Sequence, residues 1–425
     1  MKAYVALFLA CIFVVVAPPA RAQQPPPVGQ PAKLADLLKE AAANNPGLQA
    51  AKSAWQAQTK VPSQVATLPD PTVSIQQLSV GSPRPFAGYT NSDFAYIGLG
   101  VSQDLPYPGK LRLRAEVAKS EAEVLKERWR AEGRRVSAEL KAAYFELAYE
   151  QEELAILARD GSLLAQMEKV AETHYRAGQV SERDVLKAQL EETRLVRQTA
   201  DEQQKVGELE GQLKALLNRP PDSPDIVASE LSETPVALSF EELASRIRAG
   251  NPAVLAESDE TSKQAAEVRL ARKDFYPDFN LQFAWQRTDP AQFRAYYMLT
   301  FSATIPIYRH RRQDPELAEA KEMQAQSQHN YDARVQQAYS ELRNNYVQTT
   351  TAERLLAIYK EGLIPQASAS FQAGMAAYQS GREDFQTLLS AFLDELQLEG
   401  EYWRDLADHE IALARIEELT GVALN

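Results

Sequence analysis

The fold of this chain is decided by two stretches, Phe279-Asn-Leu-Gln-Phe-Ala-Trp-Gln286 and Tyr297-Met-Leu-Thr-Phe-Ser-Ala-Thr-Ile305. In both stretches, large apolar side chains alternate with small or uncharged polar ones. Successive side chains of a β-strand point to opposite faces, so the alternation predicts two strands, each with one apolar and one polar face. The predicted apolar face carries Phe279, Leu281, Phe283, Leu299 and Phe301.

Strands of this kind fit two classes of protein. Segments of about nine to eleven residues with an apolar outer face and a polar inner face are typical of outer-membrane β-barrels. The alternative is a half-buried sheet packed on helices. We prefer the barrel because the long helices predicted below have apolar seams of their own, and because the strands lie at one end of those helices. The apolar side chains are then expected to face lipid.

Two weaker strand candidates lie in the first half. Ala95 to Ser102 alternates in the same way, whereas Thr72 to Val80 loses its alternation near Gln77. Four strands do not close a barrel, and an open sheet edge is not tolerated in lipid because its backbone groups would lack hydrogen bonds. The sequence therefore predicts an oligomer. Three copies would supply twelve strands around a water-filled lumen and two copies eight, and the trimer is preferred.

The strands belong to a unit that occurs twice. Three signatures recur 206, 200 and 203 positions later: Asn45-Pro46 as Asn251-Pro252, Leu105-Pro106 as Ile305-Pro306, and Tyr175-x-x-Gly178 as Tyr378-x-x-Gly381. Each half is predicted to run through a helix, two strands, a very long helix, a sharp turn and another helix. Recurrence on this scale indicates duplication of a whole unit rather than a short repeat.

The expected boundaries follow from the repeat and from composition. Residues 1–22 have the pattern of a secretory signal peptide, with Lys2 ahead of an apolar run. Residues 23–31 form a Pro-rich lead-in, residues 32–218 the first repeat, residues 219–238 a linker and residues 239–425 the second repeat. The single cysteine, Cys11, lies in the signal peptide. A lipoprotein with Cys11 as its acylated first residue is the alternative.

A helix of unusual length is predicted from about Lys110 to Thr173, because this stretch has no proline and few glycines. At 1.5 Å per residue it would be roughly 90–100 Å long. Its apolar residues recur every seven positions, which indicates coiled-coil-like packing: Ala122, Trp129, Val136 and Ala143, then Leu140, Leu147 and Leu154. A second long helix is expected from about Pro315 to Tyr378. The predicted fold class is mainly α with a small β part.

Composition and motifs exclude several functions. The formal net charge of −12 repels nucleic acid, so no nucleic-acid partner is expected. The four histidines do not have the spacing of metal ligands, and no HExxH motif occurs. Pro108-Gly109-Lys110 lacks the rest of a phosphate-binding loop. We therefore expect no enzyme activity, no cofactor and no metal site.

The whole mature chain resembles the TolC-like outer membrane efflux proteins, the outer membrane factors of tripartite efflux pumps. The resemblance rests on the duplicated plan, on Asn-Pro in the first helix of each repeat, and on a set of motifs in order. These motifs are Val101-Ser-Gln-Asp-Leu-Pro-Tyr-Pro-Gly-Lys110, Tyr175-Arg-Ala-Gly-Gln-Val-Ser181, Asp184-Val-Leu-Lys-Ala-Gln189 and Ile416-Glu-Glu-Leu-Thr-Gly421. The Leu105–Lys110 stretch and the Gly381–Leu388 turn look most like the heavy-metal and cation efflux branch.

This resemblance implies a homotrimer with a twelve-stranded transmembrane β-barrel in the outer membrane and an α-helical tunnel in the periplasm. It implies a passive exit duct whose partners are outer-membrane lipid, a periplasmic adaptor and an inner-membrane pump, with the RND type favoured. The implied adaptor-docking residues lie in the two predicted helix turns at the tip of the tunnel: Arg176, Gly178, Val180, Ser181, Gly381 and Arg382.

The resemblance also implies a narrow tip, because acidic side chains often face the tunnel axis there in this family. Asp184 has the matching place in the first repeat, whereas Thr387 stands in the second repeat where an aspartate is often found. Glu383 and Asp384 lie nearby. The predicted aperture therefore comprises Asp184, Glu383, Asp384 and Thr387.

Two other functions remain open from the sequence. A duct for type I protein secretion would share the fold and differ in its pump, which would be an ABC exporter. A periplasmic structural coiled-coil protein would explain the helices but not the four alternating strands.

Overall fold

A computed structural model describes residues 31–79, 95–288 and 295–424. The first half contains α1 (Leu34–Asn44), α2 (Pro46–Gln58), α3 (Val61–Ala66), β1 (Thr72–Leu78), β2 (Tyr96–Leu105), α4 (Lys110–Arg176) and α5 (Glu182–Leu216). The second half contains α6 (Phe240–Gly250), α7 (Pro252–Lys273), β3 (Asp278–Arg287), β4 (Tyr296–Thr304), a 3₁₀-helix (Arg309–Arg311), α8 (Gln313–Ile358), a π-helix (Tyr359–Leu363), α9 (Ile364–Gln379) and α10 (Phe385–Thr420). The predicted signal peptide lies outside the described residues.

Each half begins with a helix that breaks at an Asn-Pro pair. The Asn45 side chain accepts a hydrogen bond from the Leu48 N–H (3.0 Å), and the Asn251 side chain accepts one from the Ala253 N–H (2.9 Å). Asparagine is a preferred N-cap residue, and proline fits the first helical position because no N–H is needed there. The Asn45 amide also donates to the Leu216 carbonyl (3.0 Å), which ties the break to the end of α5.

The strands form one antiparallel sheet in the order β1-β2-β3-β4. The predicted strands β3 and β4 are found within one residue of their expected limits, whereas β2 continues to Leu105. The pairing of β1 with β2 runs without interruption from Thr72 to Leu78, and Gln77 lies opposite Ile97. The lost alternation near Gln77 therefore places a polar side chain on the apolar face but does not shift the register.

Helix α4 has 67 residues and is roughly 100 Å long. It packs against α2, α3, α5, α7 and α10. Most residues of the predicted seven-residue pattern are buried, whereas Trp129 and Leu154 are half-buried. Trp129 instead stacks on Trp55 of α2, with ring centroids 5.1 Å apart.

The helix predicted from about Pro315 to Tyr378 is found, but a π-helical segment interrupts it. Helix α8 ends at Ile358, and a five-residue π-helix precedes α9. The physical cause is Pro365, the second residue of α9. Proline has no N–H to donate to the carbonyl four residues earlier, and its ring crowds that carbonyl. A π-turn is one of the few ways in which a helix absorbs such an interruption.

The core consists of three apolar clusters along the helices. Representative fully buried residues are Leu140, Leu147 and Leu213 in the first cluster, Leu243, Ile247 and Leu342 in the second, and Leu164, Met167 and Phe385 in the third. The third cluster lies next to the two helix turns, so the end of the molecule that carries the turns has its own packed core.

Candidate functional site

The sheet has one continuous apolar face. The pairing places Val73, Val101, Phe283 and Leu299 in one row across all four strands. Phe301 is 65% exposed and Phe283 is 45% exposed, and the Phe279 and Phe301 rings stack with centroids 5.4 Å apart. An exposed apolar surface of this extent marks a site of contact with lipid or with another protein.

The opposite face of the sheet carries small and uncharged polar side chains. Gln76, Gly98 and Gln286 lie in one row, and the Gln286 amide donates to the Gln76 side chain (2.9 Å). Gly98 is needed between them because an added Cβ would lie 2.8 Å from the Gln286 Cγ. The row therefore links β1 and β3 across β2.

The two ends of the sheet have free edges. Among the described strands, β1 pairs only with β2, and β4 pairs only with β3. Each outer edge consequently presents backbone N–H and C=O groups that could pair with a strand of another chain.

The first helix turn joins α4 to α5. Gly178 adopts a left-handed φ of 73°, and its N–H donates to the Tyr175 carbonyl (2.9 Å). Gln179 donates to the His174 carbonyl (2.9 Å), so the last carbonyls of α4 are satisfied within the turn. An added Cβ at Gly178 would meet no atom within 4 Å. The glycine is thus required by backbone conformation, and the space outside it is open.

The second turn joins α9 to α10 with the same geometry. Gly381 has a φ of 70°, and its N–H donates to the Tyr378 carbonyl (3.0 Å). Asp384 then caps α10 by accepting a hydrogen bond from the Thr387 N–H (3.0 Å). That hydrogen bond holds the pKa of Asp384 below its usual value. Sequence analysis missed this cap, although an aspartate before an apolar helical run is a preferred N-cap.

The two turns are joined by Tyr378, which is 1% exposed. Its ring centroid lies 5.2 Å from that of His174 in α4 and 5.6 Å from that of Phe385 in α10. Burial, followed by the charge of Asp184, raises the pKa of the Tyr378 hydroxyl to about 12. Lys187 and Gln386 also contact each other across the turns. The residues of both turns therefore form one surface.

The predicted docking and aperture residues differ in exposure. Arg176, Gly178, Ser181, Gly381 and Arg382 are exposed, whereas Val180 is half-buried against the third core cluster. Asp184 and Glu383 are half-buried, and Asp384 and Thr387 are exposed. Asp384 and Thr387 bind each other at the start of α10. The structure thus brings all ten residues to the two adjoining turns.

Among the described residues, no helix is long and apolar enough to cross a membrane. No group of three or more His, Cys, Asp and Glu side chains among residues 31–79, 95–288 and 295–424 has the geometry of a metal site.

Comparison with known proteins gives a family and a fold. Residues 243–422 match the family described as "Outer membrane efflux protein". The second half of this chain therefore matches the outer membrane efflux protein family. The resemblance inferred from the sequence motifs is therefore confirmed.

Solved structures share the fold of this chain over nearly its whole length. VceC from Vibrio cholerae is 17% identical, with a TM-score of 0.76 over 92% of this chain and 97% of that chain. The MtrE outer membrane channel from Neisseria gonorrhoeae is 18% identical, with a TM-score of 0.76 over 92% and 89%. CusC is 17% identical, with a TM-score of 0.76 over 96% and 100%. No curated protein matches the chain.

These findings confirm the predicted fold class, which is mainly helical with a small β part, and agree with the predicted outer-membrane location. The roles of the turn residues, the direction of the apolar sheet face and the repeat boundaries stay predictions. The Tyr378 contacts were not predicted, because no local pattern relates a residue in α9 to one in α4.

Proposed function

We propose that this efflux protein is the passive exit duct of a tripartite efflux system. It acts as a homotrimer that docks a periplasmic adaptor and an inner-membrane pump of the RND type, and it has no catalytic activity of its own. Three copies each contribute four strands to a barrel, and their long helices together enclose the tunnel. Transported compounds pass through the lumen, and the pump supplies the energy.

The observation that carries the proposal is the separation of two surfaces along α4. The helix starts at Lys110, directly below the sheet, and ends at Arg176, at the first turn. Its length of roughly 100 Å is several times the roughly 30 Å of a membrane's hydrocarbon core. An apolar surface that suits lipid and an exposed turn surface that suits a protein partner therefore lie at opposite ends of the same helix.

The turn surface supports adaptor docking. Arg176 and Arg382 are exposed, and open space surrounds Gly178 and Gly381. Two turns of matching backbone conformation in each copy would give a trimer six similar positions around its tip. A partner with repeated helical ends could bind these positions in turn, with Ser181 and Val180 at the contact.

The same end of the duct is proposed to contain the aperture. Asp184 and Glu383 in each copy would place carboxylates near the axis of a trimer, whereas Asp384 and Thr387 stabilise the start of α10. A ring of carboxylates attracts cations and repels anions, and salt weakens this effect. The aperture would then influence which ions and compounds pass.

The proposal is tested on the sheet by a matched pair of substitutions in β4. Phe301→Lys puts a charge on the apolar face and should impair outer-membrane assembly by a few kcal/mol, as for charges facing mid-membrane lipid. Thr300→Lys puts the same charge on the polar face and should be tolerated. Assembly is measured as the amount of trimer extracted by detergent from the outer-membrane fraction. Equal effects at both positions would contradict a lipid-facing sheet.

A second experiment tests the partners. The efflux protein is purified after crosslinking in cells, and the bound proteins are identified. An adaptor of an RND pump is expected among them. An ABC exporter and its adaptor in their place would overturn the proposed system and indicate protein secretion.

A further inference from the structure

A cavity of about 750 Å³ lies below the sheet, between α4, α7 and the start of α8. The strands contribute Asp278 and Thr304 to its wall, and these two residues lie opposite each other in the β3–β4 pairing. Both are one residue away from the apolar row that contains Phe279, so they belong to the polar face of the sheet. The cavity consequently opens on the side of the sheet that faces the lumen of the proposed duct.

The cavity contains a buried polar group without a partner. Gln313, the first residue of α8, lines the cavity and is 8% exposed. Its side-chain oxygen is buried and accepts no hydrogen bond from any described residue. A buried acceptor without a donor destabilises the folded chain, whereas a ligand that donates a hydrogen bond satisfies it. The oxygen therefore points to a ligand with an N–H or O–H group.

Three cations that line the cavity already have carboxylates beside them. Lys110 donates to Asp278 (2.8 Å), and Arg114 interacts with the charge of the same carboxylate. Arg312 pairs with Glu316 (3.2 Å). These positive charges are therefore compensated by the protein itself and do not favour an anionic ligand.

Two carboxylates of the cavity are not compensated in this way. Among the described residues, none forms a hydrogen bond or ion pair with Glu267 or Glu319, which both line the cavity. Burial, opposed by the charge of Lys263, raises the pKa of Glu267. The Lys263 ammonium is already shared by Glu121 (2.7 Å) and Glu260 (2.6 Å). The carboxylates at this point outnumber the cations, which favours a positively charged ligand.

Much of the remaining wall is apolar or aromatic. Leu270 and Met323 lie on α7 and α8, and Ile307 and Tyr308 lie on the connection between β4 and α8. Tyr308 is 73% exposed and Met323 is 48% exposed, so both are available for contact. The face of an aromatic ring attracts a cation, and ligand pockets of roughly 300–1,000 Å³ hold compounds of drug size.

We propose that this cavity binds an organic cation that carries an apolar part and an N–H or O–H donor. The positive charge of the ligand lies beside Glu267 and Glu319, and its donor hydrogen-bonds to Gln313. Its apolar part contacts Met323 and Tyr308. The site belongs to a single chain. Its position on the path of transported compounds rests on the proposed duct, and it names organic cations as a class of compound that contacts the lumen wall there.

The first experiment measures binding of ethidium, an aromatic cation with amino groups that becomes more fluorescent when it is bound. Ethidium is titrated into the detergent-purified protein, with micelles of the same detergent as the blank. We expect saturable binding of one ethidium per chain, which an aromatic anion such as an anilinonaphthalene sulfonate does not displace. Signal no greater than that of the micelles, or displacement by the anion, would overturn the site.

Substitutions assign the binding to the cavity. Glu267→Gln keeps the shape of the side chain and removes its charge, and it should raise the Kd of ethidium about tenfold. Gln313→Leu removes the buried acceptor and should raise the Kd several-fold. Glu322→Gln, at an exposed position of α8 outside the cavity, is the control and should leave the Kd unchanged. Equal Kd values for Glu267→Gln and the control would overturn the site.

A second experiment tests whether the cavity is open in the assembled protein. The mature chain has no cysteine of its own, because Cys11 lies in the predicted signal peptide. Ala320 lines the cavity, whereas Ala318 is exposed outside it. Ala320→Cys should react with a water-soluble maleimide in trimers, and ethidium should slow the reaction several-fold. Ala318→Cys should react at the same rate with and without ethidium.

The outcomes separate the site from the duct. An Ala320→Cys that reacts only in dissociated chains would show that a neighbouring copy fills the cavity, and this would overturn the site. Equal reaction rates of Ala320→Cys with and without ethidium would overturn it too. Either result leaves the trimer and its export in cells unaffected. Ethidium binding by a protein that forms no trimers would instead support the site and overturn the proposed duct.

Discussion

The imidazole of His174 lies with its centroid 5.2 Å from the ring of Tyr378, although the two residues belong to different repeats. This contact places the end of α4 against the end of α9, directly beside both helix turns. The Tyr378 hydroxyl is buried and has no hydrogen-bond partner among the described residues. The two turns are therefore expected to respond together to a change at Tyr378.

Tyr378 should make the stability of the tip sensitive to high pH. Its pKa is raised to about 12 from 10, so the neutral hydroxyl is favoured in the folded protein. The resulting stability is complete below pH 10 and is lost as pH rises through about 12. We expect trimers to dissociate more readily across this window. Tyr378→Phe should remove this contribution. The test compares the dissociation temperatures of the unsubstituted and Tyr378→Phe trimers at pH 9 and at pH 12.

A second test changes the size of the Tyr378 side chain and measures the stability of the tip. Tyr378→Phe keeps the ring and removes a hydroxyl without a partner, so stability at neutral pH should change by less than about 1 kcal/mol. Tyr378→Ala leaves a cavity and should cost about 3–5 kcal/mol, seen as faster proteolysis at the turns. Equal proteolysis of the two variants would contradict the described packing.

One carboxyl of a buried pair in the helix wall should also titrate near neutral pH. Glu150 of α4 and Glu202 of α5 are buried, and Lys205 lies 3.3 Å from Glu150. Burial, followed by the hydrogen bond with Glu202, raises the pKa of Glu150 to about 8. A raised carboxyl pKa means that stability is highest when the proton is bound and falls as pH rises through 8. We expect a loss of about 1 kcal/mol between pH 7 and pH 8.

Glu150→Gln tests the pH dependence assigned to Glu150. Glutamine keeps the shape of the side chain and a hydrogen-bond donor but has no charge at any pH. Its dissociation temperature should stay constant from pH 7 to pH 9 while that of the unsubstituted protein falls. Glu192→Gln, at an exposed position of α5, is the control and should follow the unsubstituted protein. A similar fall in Glu150→Gln would show that other groups cause the pH dependence.

Bulky side chains at the first turn should block partner binding. Gly178→Trp with Ser181→Trp fills open space outside the turn, and the left-handed backbone adds about 1–2 kcal/mol of strain. Export in cells should be lost while trimers remain in the outer membrane. Gly207→Trp, at an exposed α5 glycine with equally open surroundings, serves as the control. Normal export by the double variant would place the docking surface elsewhere on the tunnel.

Asp184 should tune ion preference if it lines the aperture. Asp184→Ala is expected to lower the cation preference of single channels several-fold at low salt, and the difference should shrink at high salt because the charges are screened. Asp201→Ala, farther along α5 and paired with Arg197, should have little effect. An unchanged preference in Asp184→Ala would remove Asp184 from the aperture.

Periodic features of the sequence predicted much of this fold. The alternation around Phe283 and Phe301 located β3 and β4, and Asn45 and Asn251 marked the breaks of the first helices. Both signals depend only on neighbouring residues, because side-chain direction and capping are local properties. Pro365 was a local signal too, but it was overlooked within a long helical pattern, so the π-turn was missed.

The contacts that assemble the site could not be predicted in this way. Lys110 and Asp278 are far apart in sequence, and their pairing depends on the order of the strands in the sheet. Tyr378 likewise contacts His174 only because α4 and α9 end side by side. The turns themselves were expected from Gly178 and Gly381, but their joining into one surface is a consequence of tertiary packing.

The most direct test of the account is the mass of the particle that detergent extracts from outer membranes. Four strands with two free edges per copy predict a single species of three chains, absent from the aqueous periplasmic fraction. Light scattering corrected for bound detergent measures this mass. A monodisperse monomer released from the periplasm without detergent would contradict the account.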